Sequence, residues 1–292
     1  MVATLTAVST LSFAQKVVTT EKTGQLETLI TEAEREKTPS LRVVGPINGE
    51  DIQVIRTMCG RDYSGYESEG TTRTLDLSEA LIKQEAGKNY LNEQLGFYNR
   101  FYAPSADNEI GIKMFYRCEP LREIILPKTT TVIAGQAFDN CTSLTKCTFF
   151  AGLTTIRQYA FRNTKLTNVE LPSTLTAMEN KVFDGCKELT TVMFTSKAVP
   201  TLPDELFSNC PKLKTIIVPE ESLEAYKAAL KLPEGVTIEG RADITAVRSA
   251  AASAAVVEVA RFDLQGRRLA QPQKGVNVVR YSNGTTAKVV VR

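Results

Sequence analysis

The chain has 292 residues, with 35 Lys/Arg against 33 Asp/Glu and a net charge of +2. That length holds one elongated domain or two compact ones, and near-neutrality gives a nucleic-acid role no electrostatic support. Histidine and tryptophan are absent, which removes imidazole-based nucleophile activation and the common zinc hydrolase sites and leaves only carboxylate-pair or lysine chemistry open.

In chain order, residues 1–14 (MVATLTAVSTLSFA) are apolar and uncharged, and Ser12-Phe13-Ala14 places small residues where a signal peptidase cuts. The expectation is a signal peptide truncated of its basic start; the alternative is an unstructured N-terminus. Gly24–Lys37 carries Leu26, Leu29, Ile30 and Ala33 at helical spacing and is stopped by Pro39. Leu41–Gly45 reads as a strand and Asn48-Gly49 as a turn. Glu50–Cys59 reads as a helix with Ile52, Ile55 and Met58 on one face. Leu75–Ser78 has the form of a strand end. Residues 84–110, polar and tyrosine-rich, read as an irregular insertion. The whole stretch 15–110 is expected to be a capping region, since an open solenoid end exposes core and strand edges.

Beyond it a phenylalanine recurs: Phe115, Phe138, Phe161, Phe183, Phe207, in steps of 22–24 residues. Three positions after each stands a small residue: Cys118, Cys141, Thr164, Cys186, Cys210. A leucine follows: Leu121, Leu144, Leu166, Leu189, Leu213, with the Thr164–Leu166 step one residue short. Such a period signals stacked coils, each too small to fold alone. Each coil then shows an alternating strand (Ile124/Leu126, Cys147/Phe149, Val169/Leu171, Val192/Phe194, Ile216/Val218) and a second apolar cluster at Val132-Ile133, Ile156, Met178 and Leu202.

The segments AFDNCTSLTKCTF, VFDGCKELTTVMF and LFSNCPKLKTIIVP resemble the repeats of BspA-like leucine-rich repeat surface proteins. LRVVGPINGEDIQVIRTMCGRD with TLDLSEA resembles the cap of the Bacteroides-type members. VPEESLEAYKAAL resembles their closing element, with a helix at Ser222–Lys231. The resemblance implies an α/β solenoid over 111–240. This would be a short right-handed coil of about five 22–24-residue leucine-rich repeats, with an α/β N-terminal cap and a small C-terminal β domain. Residues 241–255 read as a linker. Residues 256–292 carry seven Lys/Arg against Glu258 and Asp263. They hold three strand-like runs (Val256–Asp263, Val276–Tyr281, Lys288–Arg292) and resemble the β-sandwich sorting tail of type IX secretion, in FDLQGR, KGV and KVVVR. The alternative is a degenerate tail that only stabilises the solenoid end.

The repeat phase puts four of the six cysteines in one column, which favours a reduced, buried ladder; pairing is geometrically open for Cys118–Cys141 and Cys186–Cys210. No cofactor and no metal site is expected, because a linear ladder does not converge on a tetrahedral ion. The phenylalanine column reads as core. The outward strand positions Glu123, Ile125, Lys146, Thr148, Asn168, Glu170, Thr191, Met193, Thr215 and Ile217 are arrayed on one face and form the candidate partner-binding surface, against ordinary scattered surface residues. Tyr90, Phe97, Tyr98, Phe101 and Tyr102 form a candidate contact in the insertion, against a role in pinning it down. The reading is a non-enzymatic, secreted or cell-surface protein of a Gram-negative bacterium. It would bind an extracellular or host-surface protein as an adhesin-like module, with no nucleic acid partner and no transmembrane segment. The alternatives are a structural envelope component, a glycan-recognition module and, last, a carboxylate-pair enzyme acting on glycans.

Overall fold

The computed structural model describes residues 15–95, 98–242, 244, 258–263, 266–269, 271, 273–281 and 286–291. The chain divides into a unit Met1–Ala242 and a unit Asp243–Arg292. The expected signal peptide, most of the expected linker and Phe97 lie outside the described residues.

The first unit opens with β1 (Lys16–Thr19), a strand the sequence pattern does not announce. The single helix expected over 24–37 is instead α1 (Leu26–Leu29) and α2 (Glu32–Lys37). Ile30 is extended between them, and Thr31 and Glu34 make a reciprocal capping box that starts a new helix. That local signal overrides the apolar spacing: Leu26 and Ile30 are buried, while Leu29 and Ala33 are exposed. β2 (Ser40–Ile47) pairs in parallel with β1. Asn48 caps α3 (Gly49–Met58) rather than forming a free turn, its Oδ1 accepting from Glu50 and Asp51 N–H. Ile52, Ile55 and Met58 are buried as the spacing predicts. β3 (Thr74–Ile82) then pairs with β2.

Residues 84–110, expected to be irregular, are so only in part. They carry β4 (Leu91–Leu95) and β5 (Tyr98–Tyr102), an antiparallel hairpin in register from Leu91↔Tyr102 to Leu95↔Tyr98, and then β6 (Glu109–Ile110). The hairpin has a buried root formed by Tyr90, Leu91 and Tyr102, and the rest of β5 is exposed, so no alternation announces it in the sequence.

The coils follow as alternating short strands: β7 (Glu123–Ile125), β8 (Val132–Ile133), β9 (Lys146–Thr148), β10 (Thr155–Ile156), β11 (Asn168–Leu171), β12 (Ala177–Met178), β13 (Thr191–Phe194) and β14 (Thr215–Pro219). A 3-10 turn at Glu220–Ser222, α4 (Leu223–Ala229) and β15 (Thr237–Arg241) close the series. One parallel sheet runs β1-β2-β3-β7-β9, another β11-β13-β14-β15, and a third β6-β8-β10-β12. These ladders fit a repeat solenoid, and its first strand is paired directly to the cap through Thr74–Asp76.

The single continuous sheet face expected from the repeats is interrupted between β9 and β11. Elsewhere one carbonyl takes two N–H donors of the next coil: Arg122 C=O from Thr145 and Lys146, Thr167 C=O from Thr190 and Thr191. In the shortened third coil Lys165 N–H goes to Leu144 C=O instead, at 2.9 Å. Deleting one residue from the Thr164–Leu166 turn changes which backbone groups face each other, because strand pairing tolerates no fractional register.

Between the sheets lies the aromatic column. Phe115, Phe138, Phe161, Phe183 and Phe207 stack with centroids 5.1–5.9 Å apart and planes within 18°. The small-residue column beside it hydrogen-bonds between coils. The thiols of Cys141, Cys186 and Cys210 donate to the carbonyls of Phe115, Phe161 and Phe183 at 2.9–3.1 Å. Thr164 replaces this with a bond to its own coil, to Phe161 C=O at 3.0 Å. All six cysteines are free. Burial pushes the Cys186 thiol up to about 11 and the Cys210 thiol up to about 12, so both remain donors at neutral pH.

A second ladder ties the turns together. Phe115, Phe138, Phe161 and Phe183 each donate N–H to the next coil, to Ala137, Ala160, Val182 and Leu206 C=O. Arg117, Asn140, Asn163 and Gly185 do the same to Asp139, Arg162, Asp184 and Ser208. These latter donors have φ of 57–70°, a left-handed conformation that Asn and Gly adopt at least cost.

The second unit holds β16 (Glu258–Phe262), β17 (Arg268–Leu269), β18 (Gly275–Tyr281) and β19 (Thr286–Val291), in antiparallel order β17-β16-β18-β19. Where a sandwich was expected, the described strands make one sheet. Arg261 and Asn277 are buried within it and bonded at 3.1 Å.

Candidate interaction surfaces

The outward strand residues fall into two groups separated by the break in the sheet. In the first, Glu123 and Lys146 are in register and ion-paired at 2.6 Å, and Ile125 lies between Asp76 and Thr148. In the second, Asn168, Thr191 and Thr215 form one row and Glu170, Met193 and Ile217 another. Lys146 and Asn168 are exposed; Glu123, Ile125, Thr148, Glu170, Thr191, Met193 and Thr215 are half-buried. Ile217 is not available to a partner. It sits in register between Met193 and Glu239 and is buried. The sequence could not place β15 beside it, because β15 lacks the repeat signature.

The described insertion residues separate into a buried root and an exposed strand. Tyr90 is buried, and its hydroxyl donates to Ile112 C=O at 2.7 Å. Tyr102 is buried and donates to Glu93 at 2.8 Å. Burial pushes both phenols well up, so each stays protonated. Lys113, on the first coil, grips both Glu93 oxygens at 2.7–2.8 Å and lies 5.4 Å over the Tyr102 ring. Burial works to raise Glu93, but the bonds from Lys113 and Tyr102 bring it below the ordinary carboxylate value. The hairpin is therefore fixed at its base. Tyr98, at the tip end of β5, is 78% exposed, and Phe101, opposite Asn92 next to the root, is 55% exposed, far more than aromatics of this size usually present.

Sequence reasoning missed two members of this arrangement. Lys113, the anchor, occupies an ordinary polar repeat position with no signal of its own. Tyr66, 61% exposed, stands in the Gly/Ser-rich stretch YSGYESEG, where a turn is legible but an exposed ring is not.

Residues 108–231 match the model of the BspA type leucine rich repeat region in six copies, one more than the five coils the phenylalanine column counts. That model is not one of a catalytic family. No curated protein matches the chain. Among solved structures, the chain is similar to a Treponema pallidum leucine-rich repeat protein at 24% identity and TM-score 0.39, covering 59% of this chain and 75% of that one. It is also similar to a leucine-rich repeat protein from Bacteroides ovatus, at 17% identity and TM-score 0.39, covering 72% of this chain and about half, 53%, of that one. A third is the pneumococcal vaccine antigen PcpA, at 12% identity and TM-score 0.40, covering 70% of this chain and 68% of that one. No helix among the described residues is long and apolar enough to cross a membrane.

Proposed function

We propose that this chain is a non-enzymatic binding module, exported to the cell surface or medium, that holds an extracellular protein through the exposed β5 strand of the hairpin and through the outward strand positions. The observation that carries this reading is the pairing of an immobilised base with exposed aromatic side chains along β5. Aromatic residues dominate interface energetics when they enter a partner's pocket, and a fixed base lowers the ordering cost of binding. Tyr98 and Phe101 have that form, whereas the outward sheet positions are mostly threonines and paired charges, better suited to a polar rim. The match to BspA type repeats supports a display scaffold. We assign residues 256–292, with their antiparallel sheet, to sorting during export.

The reading is tested by immobilising extracellular-matrix proteins and measuring binding of the purified chain against the Tyr98→Ala/Phe101→Ala double variant. The expected outcome is saturable binding of the parent to at least one of them, weakened at least about tenfold in the variant. Equal binding by both removes the hairpin from the interface. Absence of binding by a folded parent leaves a structural envelope role. Export is tested separately by fractionating cells that express the chain without residues 256–292, which are expected to retain it internally.

A further inference from the structure

We propose that a hollow between the 61–67 turn, β4 and the first coil is a binding site for an uncharged carbohydrate. It is lined by residues other than Tyr98 and Phe101. The hollow measures about 480 Å³ and is lined by Arg61, Tyr66, Glu67, Glu93, Gln94 and Arg117, with Ser64 and Gly65 at the turn. That volume lies within the range of about 300–1,000 Å³ typical of small-ligand sites.

The walls are tied together. Asn92 N–H donates to Tyr63 C=O at 2.7 Å, joining β4 to the turn. Arg61 forms a bridge with Glu67 and sends its Nε to Arg117 C=O at 2.9 Å, joining the turn to the first coil. The site is thus formed before any ligand arrives.

Charge selects the ligand class. Each charged wall group has an internal counter-ion. Arg61 pairs with Glu119 at 2.7 Å and Glu67 at 3.5 Å, Glu93 with Lys113 at 2.7 Å, and Arg117 with Glu119 at 3.9 Å. An anion or cation entering the hollow must compete with these pairs. A neutral polyol need not, because paired carboxylates keep free lone pairs and paired guanidiniums keep free N–H groups. Vicinal hydroxyls can donate to Glu67 and Glu93 and accept from Gln94 and Arg117. The exposed ring of Tyr66, whose backbone N–H is pinned by Asp62 at 2.8 Å, offers a flat apolar face for the C–H side of a pyranose. A peptide side chain would be better served by an apolar pocket, and this lining is largely polar.

The test is saturation-transfer NMR on the full chain with four neutral disaccharides (lactose, cellobiose, maltose and sucrose), alongside glucuronate and glucosamine as charged comparators. The expected result is transfer to at least one neutral disaccharide at millimolar concentration. Tyr66→Ala should weaken it about five- to tenfold, as loss of one stacking contact implies, and Tyr98→Ala/Phe101→Ala should leave it unchanged. Gln94→Ala provides a second variant that removes a hydrogen-bonding group without touching the ring. The proposal is overturned by no transfer to any neutral disaccharide, by stronger transfer to the charged sugars, or by transfer indifferent to both Tyr66→Ala and Gln94→Ala in variants with parental melting temperatures.

Discussion

The two ends of the solenoid solve the same problem differently. Every interior coil accepts turn-ladder hydrogen bonds from the coil before it and donates to the coil after. At the N-terminal end there is no preceding coil, and cap side chains supply donors in its place. Tyr90 Oη donates to Ile112 C=O at 2.7 Å, Arg56 Nη1 to Met114 C=O at 2.8 Å, and Arg61 Nε to Arg117 C=O at 2.9 Å. At the C-terminal end, β15 extends the sheet beside β14, and Tyr226 packs on Phe194 with centroids 5.2 Å apart. Among the described residues of the first unit, the turn side receives no such cover. Among the described residues, Phe207 and Asn209 N–H have no acceptor, and a hollow of about 540 Å³ borders Phe207, Cys210, Pro211 and Pro233. The first end lies beneath the cap, so its carbonyls must find donors within the protein, whereas the last end borders an open hollow where water can satisfy its N–H groups. Only the first end therefore needs a dedicated, buried polar apparatus.

The largest effect that would sharpen this contrast lies in the aromatic column. Phe161 has a ring on each side and a third, Phe149, edge-on at 5.7 Å. Phe207 has a ring on one side only. Phe161→Ala should cost about 4 kcal/mol and Phe207→Ala about 2 kcal/mol, since a cavity beside an open end collapses or hydrates more easily. Urea denaturation checks both. A nearest-neighbour array also predicts that Phe161→Ala splits the transition by uncoupling the halves, whereas Phe207→Ala leaves one transition. Equal costs would mean that the C-terminal end is as closed as the middle.

Arg56 tests the other end. It is fully buried, and its Nε and Nη2 have no partner among the described residues, so holding the guanidinium there carries a desolvation cost of its own. If its task is to satisfy Met114 C=O, Arg56→Met should still destabilise by about 1–2 kcal/mol through the orphaned carbonyl. Arg56→Ala should cost about 3 kcal/mol by adding a cavity. Tyr90→Phe, which removes only a hydroxyl, should cost about 1 kcal/mol. A stabilised Arg56→Met would show that the cap does not depend on this donor.

Much of this architecture is legible in the sequence, and the limits have physical causes. The period of the phenylalanines marks the stacked coils and their core because each ring must lie over the last. The shortened Thr164–Leu166 step is visible too, but its consequence, a broken ladder between β9 and β11, depends on which carbonyl faces which N–H. β1 and β15 carry no repeat signature, since each pairs along one edge of a sheet and needs no place in the aromatic column. The hairpin escaped for the opposite reason. Its base is held by contacts of Lys113 with Glu93 and Tyr102, more than ten residues away. The outward strand positions were readable from alternation, and the burial of Ile217 was not, because it depends on the strand beyond it.

The smallest perturbation is chemical labelling, which alters no side chain before it is read. Burial pushes Cys118 up to about 11 and Cys210 up to about 12, so thiolate is scarce at both ends at pH 8 and ionisation alone would make Cys210 the slower to react. Access argues the reverse. Cys118 is fully enclosed beneath the cap, while Cys210 is 6% exposed and borders the C-terminal hollow. Cys147, half-buried in β9 beside the ladder break, offers partial access, although burial holds its thiol well above the ordinary value. If the ends differ as described, mass-spectrometric mapping after brief alkylation should find Cys147 and Cys210 modified first, with Cys59, Cys118 and Cys141 labelled only on global unfolding. Labelling of Cys118 as early as Cys210 would show the cap opening as readily as the uncovered end, and the asymmetry between them would then be one of contacts without protection.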